Sequence, residues 1–466
     1  MKKLATLLVA GAAALVLSAP ANAYEAVCGP LGVIHYQKEK VFDGYTLYTN
    51  HDSGQYTYLI DMEGNVVHQW KHVADAFYAE LLPNGHLLRA EKGEGTPVTF
   101  GGWHGSFREY DWDGNVVWEY THRNDKAVAH HGFDRLPNGN TAFLIWEYKP
   151  WAEAIAKGRN PNDGRTYTDE EGFKYANGTV LHGIWPDAII EVNPKGEVVW
   201  EYHVWDNVGT RADQFDINFA LPKTYPSKYM AGPDWTHWNA VRYNAERDAY
   251  IVDSRDWGEI YMIDRKTKSM IWRWGNPAAY GKAENEITYA YDGDQKLFGP
   301  HDVNWLPNGN VSILDNGTYR PSTNYTSGVE IKPIGFAGGE IVKRVRTKDA
   351  NSLYSAYQCA AQKLPNDNWM ITSTTNGHLI EFDPSGEVVW EYINPISGNT
   401  PYCVKKDNQP YNQIHRAFRY AKNDPRFAGK DLKPKGKIAP DCPDWYKLIN
   451  FKPSPNGAKA PKGDKR

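Results

Sequence analysis

The chain has 466 residues, of which 41% are hydrophobic and 23% charged, too apolar and too evenly charged for a disordered chain. Its formal net charge is −4 with both signs interspersed, which excludes the basic footprint of a nucleic-acid binder and favours a small-molecule partner.

Residues 1–23 begin with Lys2 and Lys3, continue in an apolar run through Leu17 and end in Ala21-Asn22-Ala23. This is the pattern of a secretory signal peptide, and it predicts a mature periplasmic protein starting at Tyr24. No later segment has the roughly 18 apolar residues a membrane span needs. In an oxidising compartment Cys28, Cys359, Cys403 and Cys442 allow three pairings. Cys403 with Cys442 is the favoured one, leaving Cys28 and Cys359 as a second disulfide or as two thiols.

From residue 24 two signatures alternate. The first is a strand and turn: Phe77 before LLPNG, then HGFDRLPNGN from His131, HWNAVRYNAE from His237, HDVNWLPNGN from His301, Cys359 before KLPND, and HRAFRYAKND from His415. In every copy the leading residue stands five positions before the position of the turn's Leu. The second is VVHQW at Val66, VVWEY at Val116, Val198 and Val388, MIWRW at Met270 and IVKRV at Ile341. Alternating β-branched and aromatic residues after Asx/Gly turns predict hairpins, not helices.

Six such units predict an all-β chain folded as a six-bladed β-propeller over residues 24–451. The N-terminal strands GYTLYT, QYTYLID and VVHQW lack an inner strand, and the strand at His415 lacks outer ones. One blade combining both ends resolves both shortfalls. Residues 149–186 and 206–234 read as insertions of the kind that form lids or binding loops, and residues 452–466 as a disordered tail.

Inner strands start at the central channel, so His131, His237, His301 and His415 are expected to converge at one mouth of it. Four imidazoles could bind one transition metal such as Cu, Fe or Zn, bind an anion, or act as acid, base or nucleophile. The alternative is that each caps its blade by a hydrogen bond. Arg255 and Arg320, one strand and one turn after His237 and His301, are suited to holding an oxyanion. Most tryptophans belong to the VVWEY repeats and pack between blades. Trp103, Trp151, Trp185, Trp235 and Trp238 are placed near the mouth, where an aromatic substrate could stack. His130 is the weaker member of its pair, and His104, His182 and His378 fall outside the repeated offset.

The segments DWTHWNAV, AYIVDSRDWGEIYMIDRKTKSMIWRWGNP, PHDVNWLPNGNVSILDNG and QCAAQKLPNDNWMITS, within residues 234–392, resemble the bacterial arylsulfotransferase family. The resemblance implies a six-bladed propeller that moves a sulfuryl group from an aryl sulfate to a phenol through a sulfohistidine, with no nucleotide donor and no cofactor. It implies that His237 and His301 polarise the sulfate or shuttle the phenolic proton, and that Arg320 neutralises charge. His131, Arg255, Tyr357 and Trp238 are the expected substrate contacts. The family's nucleophilic histidine lies in the next blade, where this chain has Cys359 with Tyr357 and Gln358 beside it. The family's N-terminal sandwich domain has no expected counterpart ahead of GYTLYT. The departure at Cys359 leaves three readings. The nucleophile is Cys359 or His415; or the four histidines hold a metal in a redox or lytic enzyme acting on a small aromatic compound; or the channel is a non-catalytic binding site.

Overall fold

The computed structural model describes residues 31–50, 54–93, 95–98, 100–160, 173–174, 180–181, 183–219, 233–288, 290–398, 400–401 and 412–439. The expected signal peptide, Cys28, Cys403, Cys442, His182 and the expected tail lie outside them. Cys359 is a buried free thiol.

Six antiparallel sheets form the blades of a propeller. Blade 1 runs from Ala76–Leu81 to Val116–Thr121, and blade 2 from Ala127–Arg135 to Val198–His203. Blade 3 runs from Trp238–Asn244 to Ser269–Trp274, and blade 4 from His301–Trp305 to Gly338–Val345. Blade 5 runs from Ala360–Lys363 to Val388–Ile393 and takes Gly32–Tyr36 as a fifth, outermost strand. Blade 6 closes the ring as expected: its inner strand Ile414–Ala421 pairs with Gly44–Asn50, Gly44 opposite Ala421 and Tyr48 opposite Ala417. Gly44 is required there, because a Cβ would lie 2.0 Å from the Tyr420 carbonyl oxygen.

The repeated outer strand explains how neighbouring blades are joined. Its third residue donates a hydrogen bond to a carbonyl in the outer turn of the following blade, and this recurs around the whole ring. Trp118 donates to Pro194, Trp200 to Arg265, Trp272 to Gly338 and Trp390 to Met62, at 2.8–3.1 Å. In blade 4 the third residue is Lys343, whose Nζ reaches the Pro384 carbonyl at 2.8 Å. In blade 6 it is His68, whose Nε2 lies 2.9 Å from the Trp112 carbonyl. Many of the apolar neighbours of these residues, Val116, Val117, Val198, Val199, Ile271 and Val342 among them, are exposed, so what the repeat encodes is the registry of the blades.

The insertion at 149–186 includes a short helix, Trp151–Ala156, whose Trp151 and Ala154 join the core between blades 2 and 3. Phe215 and Ile217 from the 206–234 insertion, with Trp205 just ahead of it, pack into the same core.

Replacing Trp390 with Phe keeps an aromatic ring between blades 5 and 6 and removes the donor to Met62. We expect a loss of about 1–2 kcal/mol of unfolding free energy. Urea denaturation that leaves the midpoint unmoved would show that the bond contributes nothing.

Candidate active site at the channel mouth

The repeated offset marks a break in most inner strands. Pairing with the second strand shifts register at Ala76/Tyr78, His130/Phe133, Trp238/Ala240 and His301/Asn304. At three of these bulges the backbone enters the left-handed region, His131 and His237 both with φ 44 and Asp302 with 59; Cys359, ahead of an unbroken pairing in blade 5, has 82. For a residue with a Cβ this costs about 1–2 kcal/mol, and bulges of this kind re-aim side chains. The freed His131 N–H donates to the Gly102 carbonyl at 2.9 Å, and the His237 carbonyl accepts from Arg255 N at 3.1 Å.

The rings do meet. His131 and His237 have centroids 4.8 Å apart, and His131 and His415 6.3 Å apart. All four histidines are buried, His237 least so at 9% exposure. Their neighbours give them different chemistry.

His237 is held by a carboxylate: its Nδ1 lies 2.5 Å from Asp234 Oδ2. Burial pushes the imidazole down, but the Asp234 carboxylate outweighs it and holds the pKa above the usual histidine value of 6.5. Nδ1 therefore carries hydrogen toward Asp234, and Nε2 remains for a substrate. Arg255 follows on the next loop, paired with Asp256 at 2.7 Å.

His301 is fixed by hydrogen bonds on both nitrogens. Nδ1 faces the Gly299 carbonyl at 3.0 Å and Asn316 Oδ1 at 2.7 Å, and Asn316 is oriented by donating its amide to Ser355 and Gln358 carbonyls. Nε2 accepts from the Gln358 backbone N–H at 3.0 Å. Burial and the nearby Arg255 charge hold His301 well below the usual range, so it is a neutral strut between blades 4 and 5. His131 is likewise held far down, by burial and then by His237, His130, His415 and His301. His415 packs its ring 4.0 Å from Phe77.

Several expectations are corrected. The four-histidine metal centre does not fit, because the His301 lone pair is taken by Gln358 N–H. Among the described residues no group of three or more His, Cys, Asp or Glu is disposed to hold a metal ion. Cys359 is no nucleophile: it lies in a core with Leu314, Trp369 and Ile371, Sγ donates to the Tyr357 carbonyl at 3.3 Å, and burial pushes the thiol up. Trp238 is no stacking platform, since it is buried among Tyr202, Phe215 and Tyr261. Trp151, Trp185 and Trp235 are buried as well. Arg320 itself pairs with Asp315 at 2.5 Å and Asp292 at 3.3 Å, with the rings of Phe298 and Tyr325 beside its guanidinium and its Nε without a partner among the described residues. Tyr357 is exposed and accepts from Gln413 Nε2 at 2.7 Å.

Sequence reasoning missed Asp234, Asp187 and Gly102. Asp234 was visible as the carboxylate three residues before His237 in DWTH. His130 was underrated: its Nδ1 is 2.9 Å from His131 Nδ1, its Nε2 is 2.9 Å from Asp187 Oδ1, and its ring stacks on Trp146 at 3.7 Å.

Below the histidines the channel is blocked by charge. Arg416 donates to the Asn239 carbonyl at 2.8 Å and approaches Asp302 at 3.4 Å, while Arg242 binds Glu80 at 2.7 Å and Asn304 at 3.0 Å. A cavity of 320 Å³ lined by Glu80, Arg242, Asp302, Lys363, Tyr420 and Arg426 opens at the other mouth, where the inner strands end.

Fold and site together define an all-β propeller with a buried histidine and carboxylate cluster at one channel mouth. The arylsulfotransferase (ASST) family model matches residues 182–403, which supports a member of that family. The match supports an arylsulfotransferase-like function. Similar solved structures include a protein of unknown function from Bacteroides caccae, 13% identical, covering 81% of this chain and 98% of that one with a TM-score of 0.47. A streptogramin B lyase is 12% identical, with 78% and 82% covered and a TM-score of 0.39. A catalytically inactive virginiamycin B lyase from Staphylococcus aureus with quinupristin is 10% identical, with 79% and 90% covered and a TM-score of 0.37. No curated protein matches. Among the described residues no helix is long and apolar enough to cross a membrane.

Asp234→Asn should lower the His237 pKa, because burial and the Arg255 charge are then opposed only by Asp256. Histidine NMR titration reads this directly, and an unmoved midpoint would mean that Asp234 does not set it.

Proposed function

We propose that this protein transfers a sulfuryl group from an aryl sulfate to a phenolic acceptor in the periplasm, without a nucleotide donor, and that His237 carries the group. The observation that supports this reading is the Asp234–His237 dyad at the channel mouth, inside the segment matched by the family.

In the first half-reaction Nε2 of neutral His237 attacks sulfur. The N–S bond forms, the S–O bond to the aryl group breaks, and the phenolate departs. Asp234 holds Nδ1–H and offsets the positive charge of the sulfohistidine. Arg255, next along the chain from the His237 loop, offsets charge on the sulfuryl oxygens. In the second half-reaction the acceptor phenol loses its proton and its oxygen attacks sulfur, which releases His237.

The test is release of 4-nitrophenolate from 4-nitrophenyl sulfate that depends on an added phenol. His237→Ala should lose about a hundredfold or more in kcat/KM. Because the attacking form is neutral, the wild-type rate should fall as pH drops through a midpoint above 6.5, and Asp234→Asn should move that limb to lower pH. An active His237→Ala variant rejects the assignment. Cys359→Ala should keep its turnover and lose about 1–2 kcal/mol of stability, as expected for a small core truncation.

A further inference from the structure

The carrier histidine leaves one task unassigned: something must take the acceptor's hydroxyl proton without adding charge to the buried cluster. His131 stands beside His237, with rings at 4.8 Å and nearly perpendicular. Its Nδ1 faces His130 Nδ1 at 2.9 Å, so Nε2 is the nitrogen left for a substrate. His130 continues the line, Nε2 lying 2.9 Å from Asp187 Oδ1, near enough for the carboxylate charge to act on it but outside hydrogen-bond alignment. The other oxygen, Oδ2, accepts from Thr236 Oγ1, and Oδ1 accepts from Trp238 N at 3.2 Å. Gly102 lets His131 occupy this place, because a Cβ there would lie 2.1 Å from the ring.

Resting on the sulfuryl-transfer reading, we propose that His131, His130 and Asp187 form a buried proton relay that takes the phenolic proton at His131 Nε2 and delivers it to the Asp187 carboxylate. Two nitrogens at hydrogen-bond distance share one proton, so the tautomers of the two rings are locked together. With Asp187 ionised, its charge 2.9 Å away favours the His130 tautomer that carries Nε2–H, His130 Nδ1 is a lone pair, and His131 carries Nδ1–H, leaving Nε2 basic. When the phenol O–H bond breaks, its proton binds His131 Nε2. The Nδ1 proton of His131 passes to His130 Nδ1, and a turn of the His130 ring that aligns Nε2–H with Oδ1 lets that proton pass to Asp187. Neither ring becomes an imidazolium, and the negative charge moves from the carboxylate to the phenolate oxygen that attacks sulfur.

The surroundings agree with this division of labour. Burial, with His237, His130, His415 and His301 around it, keeps His131 from holding a positive charge. Burial does the same to His130, with Asp234 opposing and His237 assisting. Asp187 is pushed up to about 7 by burial, with Asp256 adding to it and Thr236, His237 and Trp238 N opposing. The relay therefore ends on a group able to exchange a proton near neutrality.

The experiment is NMR of the full-length protein with 15N-labelled histidine, titrated across neutrality with no substrate present. Above about 7 His131 should show Nδ1–H and His130 Nε2–H; below it both should exchange to the opposite tautomer while staying neutral. Asp187→Asn should abolish the exchange. A His131 that keeps one tautomer throughout, or that becomes imidazolium, overturns the relay. His130→Phe, which keeps a ring against Trp146, gives a second route: it should uncouple His131 and slow the acceptor-dependent half-reaction on the order of a hundredfold, and unchanged transfer would overturn the relay. His130→Asn, with an amide oxygen in place of Nδ1, should recover the Nδ1–H tautomer of His131 but not the exchange. The tautomer readout needs no turnover. Missing transfer with the exchange intact counts against the function alone, and transfer without the exchange counts against the relay alone.

Discussion

Six hydrogen bonds of one kind hold this ring in register. A side chain at the third position of each outer strand reaches over the wedge between blades and donates to a turn carbonyl of the next. Each bond is worth only about 1 kcal/mol net, yet each also fixes the angle at which two sheets meet. Six fixed angles bring the inner strand Ile414–Ala421 alongside Gly44–Asn50 and close the circle. The channel mouth depends on that closure, because His415 and Arg416 arrive on the closing strand and the remaining histidines arrive on blades whose tilt the same bonds set.

Within this frame equivalent positions diverge. His131, His237 and His301 begin inner strands in the same way, but their charge states are decided by what lies one shell out. A carboxylate makes His237 a group that can hold a proton or carry a transferred one. A backbone amide from the following blade turns His301 into a neutral brace. A second histidine and a distant carboxylate make His131 basic without making it cationic. The repeat supplies the location, and sequence outside the repeat supplies the chemistry.

That division explains how much could be read from the chain. Blade number, closure and the convergence of the histidines follow from two short motifs with a fixed offset, because periodic hydrophobic patterns and turn chemistry are local. Cys359 shared the offset yet points its sulfur into a core. Offset gives a position on the strand, not the direction of a side chain at a bulge. The loss of the His301 lone pair to Gln358 N–H is a contact across 57 residues, with no trace in composition. Asp234 ends one insertion and Asp187 opens the strand that follows the other, and only the folded chain brings them to the histidines. Trp238 was a sound choice by residue type that packing overruled.

The lysine among the six inter-blade donors has a mechanical consequence. Trp118, Trp200, Trp272 and Trp390 attach through flat, stiff rings, whereas Lys343 attaches through a flexible ammonium arm at the rim. A closed ring has no terminal interface, so it opens wherever one junction yields first. The boundary between blades 4 and 5 is where such a hinge would form, and opening there would part His301 from the Gln358 amide that fixes it. A spring clasp of this kind, at one of six joints, would let the ring breathe on one side while the Asp234 and Asp187 side keeps its shape.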